Sequence, residues 1–195
     1  MELLDYSLLT LEELKLYLGI DSLNTDDDEY LKLLINNSTE ILNSAVGYII
    51  SEQEYTGEEG GQPRHIQRGD DYKAITLPFR NITDTTEFKI EKSNIINDGV
   101  WEEVDAEKYW VRKSEGVVEC NYEFNSWYNY RFTFSAGFNP IPYDIKLVCM
   151  QMIAEIYNTQ GTEGIKSEKI DTYSISYGDN QSSEKIKSIV NKYGL

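Results

Sequence analysis

Histidine is nearly absent from this chain: His65 is the only one. A Ser-His-Asp or Cys-His arrangement would have to be built on it, yet it lies in a polar, glycine-rich stretch without hydrophobic period. Cysteine is scarce too. Cys120 and Cys149 do not make a disulfide framework, and no His/Cys cluster has metal-ligand spacing. No glycine-rich phosphate loop and no nucleophile elbow occurs. Carboxylates are abundant instead, and among 34 acidic residues some close pair is inevitable, so a glycosidase-like pair has no diagnostic value here. The expectation is a protein that is not an enzyme, with no catalytic residue, no metal and no cofactor.

Positive charge is the next deficit. Eighteen Lys and Arg face 34 Asp and Glu, for a formal net charge of −16. A protein that wraps nucleic acid needs a basic patch to neutralise phosphates, so this balance argues against one. It fits high solubility, a basic partner, or a surface that repels DNA. Long apolar runs are missing as well. The start, MELLDYSLLTLEEL, has no basic region and no hydrophobic stretch of signal-peptide length. The expectation is a chain made and kept in a reducing cytosol, with no membrane partner.

The sequence is organised around AGFNPIPYDIKLVCMQMIAEIYN, residues 136–158. A strand ends at Gly137, Pro140 and Pro142 mark a corner, and an apolar helix follows. On a helical wheel Asp144, Gln151, Glu155 and Asn158 form a narrow polar stripe. Ile145, Cys149, Met152, Ile153 and Ile156 form one apolar face; Leu147, Met150, Ala154 and Tyr157 form a second. A helix with most of its circumference apolar is predicted to be central and packed on at least two sides.

Before it come two helical patterns. Residues 10–18 open on a Thr10/Glu13 capping box and stop at Gly19, with Leu11, Leu14 and Leu18 on one face. Residues 26–49 begin with Asp26, Asp27, Asp28 and Glu29, suited to a helix N-terminus, and carry Leu31, Leu34, Leu42, Ala45 and Ile49 at spacings of three and four. Residues 51–73 lose all period and read as a long mobile loop. It contains Arg68-Gly69-Asp70, a tripeptide expected by chance.

Between 74 and 137 the period changes to two. Ile75/Leu77/Phe79, Phe88/Ile90, Tyr109/Val111, Val118/Cys120/Tyr122/Phe124 and Tyr130/Phe132/Phe134 alternate with polar residues, separated by turn residues at 97–99 and 114–116. This predicts an antiparallel β meander of five to six strands, with Trp101, Trp110, Trp127 and Tyr128 facing outward. After the central helix, residues 169–177 alternate again, and Ser183 caps a last amphipathic helix over 183–193, with Ile186, Ile189, Val190 and Tyr193 on one face and Lys185, Lys187 and Lys192 on the other.

The predicted fold class is α+β: a small antiparallel helical core (helices about 10–18, 26–49, 141–158 and 183–193) with an inserted antiparallel β meander. The predicted division is 1–50 with 138–195 as helical core and C-terminal arm, 51–73 as mobile loop, and 74–137 as β insertion.

The order of these elements resembles the head–tail connector (adaptor, or head-completion) proteins of tailed bacteriophages, in a variant with a β insertion. The resemblance rests on LTLEELKLYLGID, DDDEYLKLLINNSTEILN, FTFSAGFNPIPYDIKLVCMQMIAEIY, and GIKSEKIDTYSISYG followed by SSEKIKSIVNKYGL. It covers nearly the whole chain except 51–73. It implies a structural virion protein at the capsid vertex, made in the host cytoplasm. Copies would form a ring, a dodecamer in the virion, under the portal protein. The ring would extend the DNA channel, let DNA pass without sequence-specific binding, and receive a tail or neck completion protein. Twelve copies would carry a formal charge of about −190. The resemblance also implies that the C-terminal arm and helix bind the portal or a neighbouring subunit, through Ile170, Tyr173, Ile175, Tyr177, Ile186, Ile189, Val190 and Tyr193. A different reading, from the residues alone, is a glycan- or peptide-binding module that uses Trp101, Trp110 and Trp127.

Overall fold

The computed structural model describes residues 2–57, 61–83, 87–96, 99–159, 167–170, 173–176 and 182–195. The chain divides into two compact units: Met1–Val46 with Ile141–Gly194, and Gly47–Pro140 with Leu195. The first is helical and the second is built of strands, so the class is α+β.

In the helical unit α1 spans Leu11–Leu18, α2 Asp28–Val46, α3 Tyr143–Asn158 and α4 Ser182–Tyr193. The α1 start is the expected capping box. Thr10 Oγ1 accepts from the Glu13 N–H, and the Thr10 N–H donates to Glu13 Oε2 at 3.0 Å. Gly19 ends the helix in the left-handed region at φ 70°. α2 is shorter than its hydrophobic pattern suggests. Asp26 is held in a turn by the Asn24 side chain, and Gly47, at φ 91°, stops the helix before Tyr48 and Ile49. Leu31, Leu34, Ile35, Leu42 and Val46 are buried, whereas Leu33 and Ile41 are exposed.

α3 packs against α1, α2 and α4. Its first apolar face goes inward at Ile145, Cys149, Met152 and Ile153, but Ile156, expected on that face, is exposed at the end of the helix, where no other described element covers it. The second does not: Leu147 is exposed, and Met150, Ala154 and Tyr157 are half-buried. Three helices therefore share one side of α3 rather than enclosing it. Lys146, between the two faces, pairs with Glu13 of α1 at 2.6 Å. The chain before α1 is anchored to α2: the Leu4 N–H donates to Asn36 Oδ1, the Asn36 amide donates to the Glu2 carbonyl, and the Leu8 N–H donates to Thr39 Oγ1. Asn36 and Thr39 are buried, so these bonds satisfy polar groups that would otherwise destabilise the core. Beyond α3, β9 (Ser167–Ile170) and β10 (Tyr173–Ser176) pair antiparallel.

The other unit contains β1 (Gln53–Tyr55), β2 (His65–Arg68), β3 (Ala74–Thr76), β4 (Lys89–Asn94), β5 (Glu102–Glu103), β6 (Tyr109–Arg112), β7 (Val117–Cys120) and β8 (Tyr128–Ala136). These strands pair antiparallel, but the order is not that of a meander. The nine-residue β8 is the hub of one sheet. β4, itself flanked by β5, pairs along one side of it, and β1 and β2 lie end to end along the other. β3, β7 and β6 make a second sheet. The period-two reading holds in detail: Tyr130, Phe132, Phe134 and Ala136 of β8 pack with Ile75, Leu77, Ile90, Val118 and Phe124 in one core.

The 51–73 run is not the loop its composition suggests. β1 and β2 lie within it, and the segment after β2 is tied to the approach to β8. The Gly69 N–H donates to the Tyr128 carbonyl, the Asp71 N–H to the Phe124 carbonyl, and the Ser126 N–H to Asp71 Oδ1. Gly69 packs so closely that a Cβ would collide with the Asn125 carbonyl, so the Arg68-Gly69-Asp70 tripeptide is part of the framework. These strands are too short and too polar to show a period of their own; the partner β8 supplies their hydrogen bonds. Gly137 ends β8 at φ 116°, where a Cβ would lie 2.6 Å from the Ser51 carbonyl oxygen.

Candidate subunit interface

The residues expected to meet a partner lie on β9, β10 and α4. The strand register sets Tyr173 opposite Ile170 and Ile175 opposite Glu168. Tyr177 lies outside the described residues. On α4, Ile189 is buried, only 3% exposed, within its own helical unit, while Ile186, Val190 and Tyr193 are half-buried. α4 packs on α2 and α3. Its last turn is bound to the first turn of α3: Tyr193 Oη donates to both oxygens of Asp144, and Lys192 Nζ donates to Asp144 Oδ2 at 2.6 Å. Partial burial would raise the Asp144 pKa, but the donors from Lys192 and Tyr193 outweigh it and hold the carboxyl below its usual range; the same pairing raises Lys192. The sequence placed Asp144 on a polar stripe but carried no sign that the stripe would receive the chain's own C-terminal helix.

A second anchor escaped the sequence reading altogether. Lys15 is 4% exposed. Its ammonium lies 2.5 Å from Asp28 Oδ1 and donates to the carbonyls of Asn24 and Ser22. One buried cation thus gathers the 21–28 turn onto α1 and occupies the negative start of α2. Nothing in the spacing of Leu11, Leu14 and Leu18 signals that the lysine between them turns inward.

On the outward face of the β8 sheet, Arg131 makes a two-point pair with Glu91 (2.6 and 2.5 Å) and stacks on Trp101 at 4.5 Å. The Arg131 hydrogen bonds hold Glu91 below the usual carboxylate range, against a smaller opposing effect of burial. Glu54, Thr56, Arg64, Glu87, Lys89, Glu103 and Thr133 join Glu91 around an open cleft of about 450 Å³. The tryptophans expected to face outward divide. Trp110 (68%) and Trp127 (59%) are exposed, Trp110 on the β3–β7–β6 sheet and Trp127 ahead of β8; Trp101 is half-buried against Arg131, and Tyr128, under Lys92, is half-buried too. His65 is a packing residue of β2, edge-on to Phe79 at 5.6 Å, and burial lowers its pKa. Among the described residues no group of three or more His, Cys, Asp or Glu is placed to hold a metal ion, and no helix is long and apolar enough to cross a membrane.

No curated protein matches the chain. Among solved structures it is similar to a chain from a particle described as "Neck of empty GTA particle computed with C6 symmetry". The TM-score is 0.62 at 12% identity, with 100% of this chain and 93% of that chain covered; at this identity the likeness shows the fold. The family model described as "Head completion protein" matches residues 7–194, a span that includes the helical unit, the strand unit between its halves and the latched C-terminal helix. With the match running through every described element, the chain belongs to the head completion protein family.

Proposed function

We propose that this protein is a non-catalytic structural component of a virion neck. Copies form a ring beneath the portal, a dodecamer in the virion, that extends the DNA channel and joins the capsid to the tail or to a neck completion protein. The observation that carries this reading is the membership of residues 7–194 in the head completion family. The full-length likeness to a chain from a particle neck supports it, and that particle's sixfold symmetry is contained in a twelvefold ring.

The charge suits the role. A formal −16 per copy on a channel wall repels the phosphate backbone and lets DNA slide rather than adhere. The partner surface lies on the C-terminal arm and helix: Ile170, Tyr173, Ile175 and Tyr177, with the half-buried Ile186, Val190 and Tyr193 of α4. Ile189 supports that surface from within the helical unit.

Electron microscopy of the purified chain mixed with the portal protein of the same particle tests the proposal. A ring seated on the portal is expected. A chain that stays monomeric and ignores the portal at micromolar concentration overturns it.

A further inference from the structure

The outer edge of β2 is open. β2 pairs with β8 along one side, and among the described residues no strand pairs with the other. The ladder fixes which backbone groups point outward. His65 stands opposite Phe132 and Gln67 opposite Tyr130, and the Gly69 N–H continues that register by donating to the Tyr128 carbonyl. In an antiparallel strand each residue turns both backbone groups toward the partner or both away, in alternation. His65 and Gln67 therefore face β8, and Ile66 and Arg68 hold their N–H and C=O away from it.

The side chains on this edge are basic in an acidic protein. Ile66 lies opposite Arg131 and shares its face of the sheet. Arg68, two residues on, belongs to the same face, and Arg64, just before β2, lines one open hollow with Ile66 and Arg131. Three of the chain's five arginines thus gather here, in a molecule of formal charge −16. Ile66, between two of them, is 56% exposed. The hollow measures about 370 Å³ and is walled by Gly57, Gly61 and Pro63.

Two of these arginines are engaged. Arg131 is held by Glu91, and Arg68 Nε donates to the Ser126 carbonyl. Arg64 is not. Its Nε is shut off from solvent without a hydrogen-bond partner, and Glu91 Oε2 stands 3.9 Å from its Nη1, beyond hydrogen-bond distance. A buried donor without an acceptor is destabilising, and a carboxylate arriving in the hollow supplies one.

These features select the occupant. An open strand edge takes an extended segment through main-chain hydrogen bonds, and the flanking surface reads its alternate side chains. Arginines at both ends repel a second β2 edge and favour a strand with carboxylates at alternate positions. A second copy of this chain offers no match among its described residues: its acidic edge strand, β5, has two residues, whereas 64–68 spans five, about 17 Å.

We propose that β2 receives an extended acidic segment of a partner protein as an added strand. One carboxylate meets Arg64 at the hollow, a second lies beside Arg68, and an apolar side chain between them covers Ile66. The surface lies on the strand unit, and the proposal stands independently of the ring reading above.

The test is amide hydrogen exchange of the full chain with a synthetic peptide, acetyl-Thr-Glu-Thr-Val-Thr-Glu-Thr-amide, whose Glu, Val and Glu fall on one face. At millimolar peptide, exchange at Ile66 and Arg68 is expected to slow at least fivefold, while exchange at His65 and Gln67, already bonded to β8, stays as it was. A peptide with Lys in place of Glu gives no slowing. Nor does the acidic peptide N-methylated at every residue, which keeps the charge and lacks the donors. Arg64→Gln, with its fold checked by circular dichroism, is expected to weaken the acidic peptide at least fivefold. No slowing with the acidic peptide overturns the proposal. So does slowing that is equal with the Lys peptide, with the N-methylated peptide or in Arg64→Gln. Protection of Ile66 and Arg68 that rises with protein concentration in the absence of peptide assigns the edge to a second copy and overturns the proposal as well.

Discussion

The phenol of Tyr193 donates to the carboxylate of Asp144, 2.9 Å from Oδ1 and 3.0 Å from Oδ2. This contact joins the last turn of α4 to the first turn of α3 across 49 residues of sequence, and Lys192 reinforces it. This polar latch and the buried side chain of Ile189 help hold the C-terminal helix against α2 and α3. Asp144→Asn removes the ion pair and weakens the phenol bond, and raises amide exchange across 182–193 several-fold at neutral pH while α2 stays protected. Asp144 has a lowered pKa in the folded chain, so its contribution is present above the ordinary value of 3.8 and is lost as pH falls through the lowered one. Protection factors of the parent in that acid range converge on those of the variant.

Lys15→Met tests the buried ammonium. The variant keeps the length of the side chain but leaves Asp28 without its cation and the Ser22 and Asn24 carbonyls without a donor. A loss of roughly 3 kcal/mol is expected in urea unfolding. Lys32→Met is the contrasting surface control: its partner is the exposed Glu29, one turn away on the same helix, and its effect stays within about 0.5 kcal/mol.

Arg131 and Glu91 sit on the outward face of the β8 sheet, each about four-fifths buried. Glu91→Gln is expected to lower stability by about 1–2 kcal/mol at neutral pH, the range of a charge-assisted hydrogen bond. Because the folded-state pKa of Glu91 is depressed, the difference between parent and variant is complete above the ordinary value of 4.5 and shrinks as pH falls through the depressed one. A set of urea melts between pH 7 and pH 3 reads this directly, and a difference that grows toward acid refutes it.

Both thiols are free and buried in the folded chain. Burial pushes the Cys120 thiol up to about 11 and the Cys149 thiol up to about 12, so at pH 8 neither offers appreciable thiolate or access. Reaction with an aromatic disulfide reagent is expected to be slower than global unfolding in buffer and complete within minutes in denaturant. A fast single equivalent in buffer contradicts the burial of one of them.

Much of this architecture was legible in the linear pattern because it depends on local chemistry. The Thr10/Glu13 cap, the Gly19 stop, the helical seam of α2, the Pro-led start of α3 and the alternation of Tyr130, Phe132 and Phe134 each need only a few neighbouring residues to declare themselves. Their order was also enough to suggest the head completion family. The loop expected at 51–73 failed because β1 and β2 have three and four residues, carry few apolar side chains, and owe their existence to the unpaired side of β8.

The periods of 3.6 and 2, and the places where they change, were settled by the amino-acid order alone, since they follow from where side chains point along a helix or a strand. Tertiary structure decided everything that depends on distant partners. It turned β8 from the last strand of a meander into the hub of a sheet. It drew Lys15 inward to Asp28, joined Asp144 to Tyr193, and left Leu147 in solvent although the pattern around it reads as core. The physical reason is common to all of these: a side chain's period fixes the face it occupies, but only the packing of other elements determines whether that face is covered.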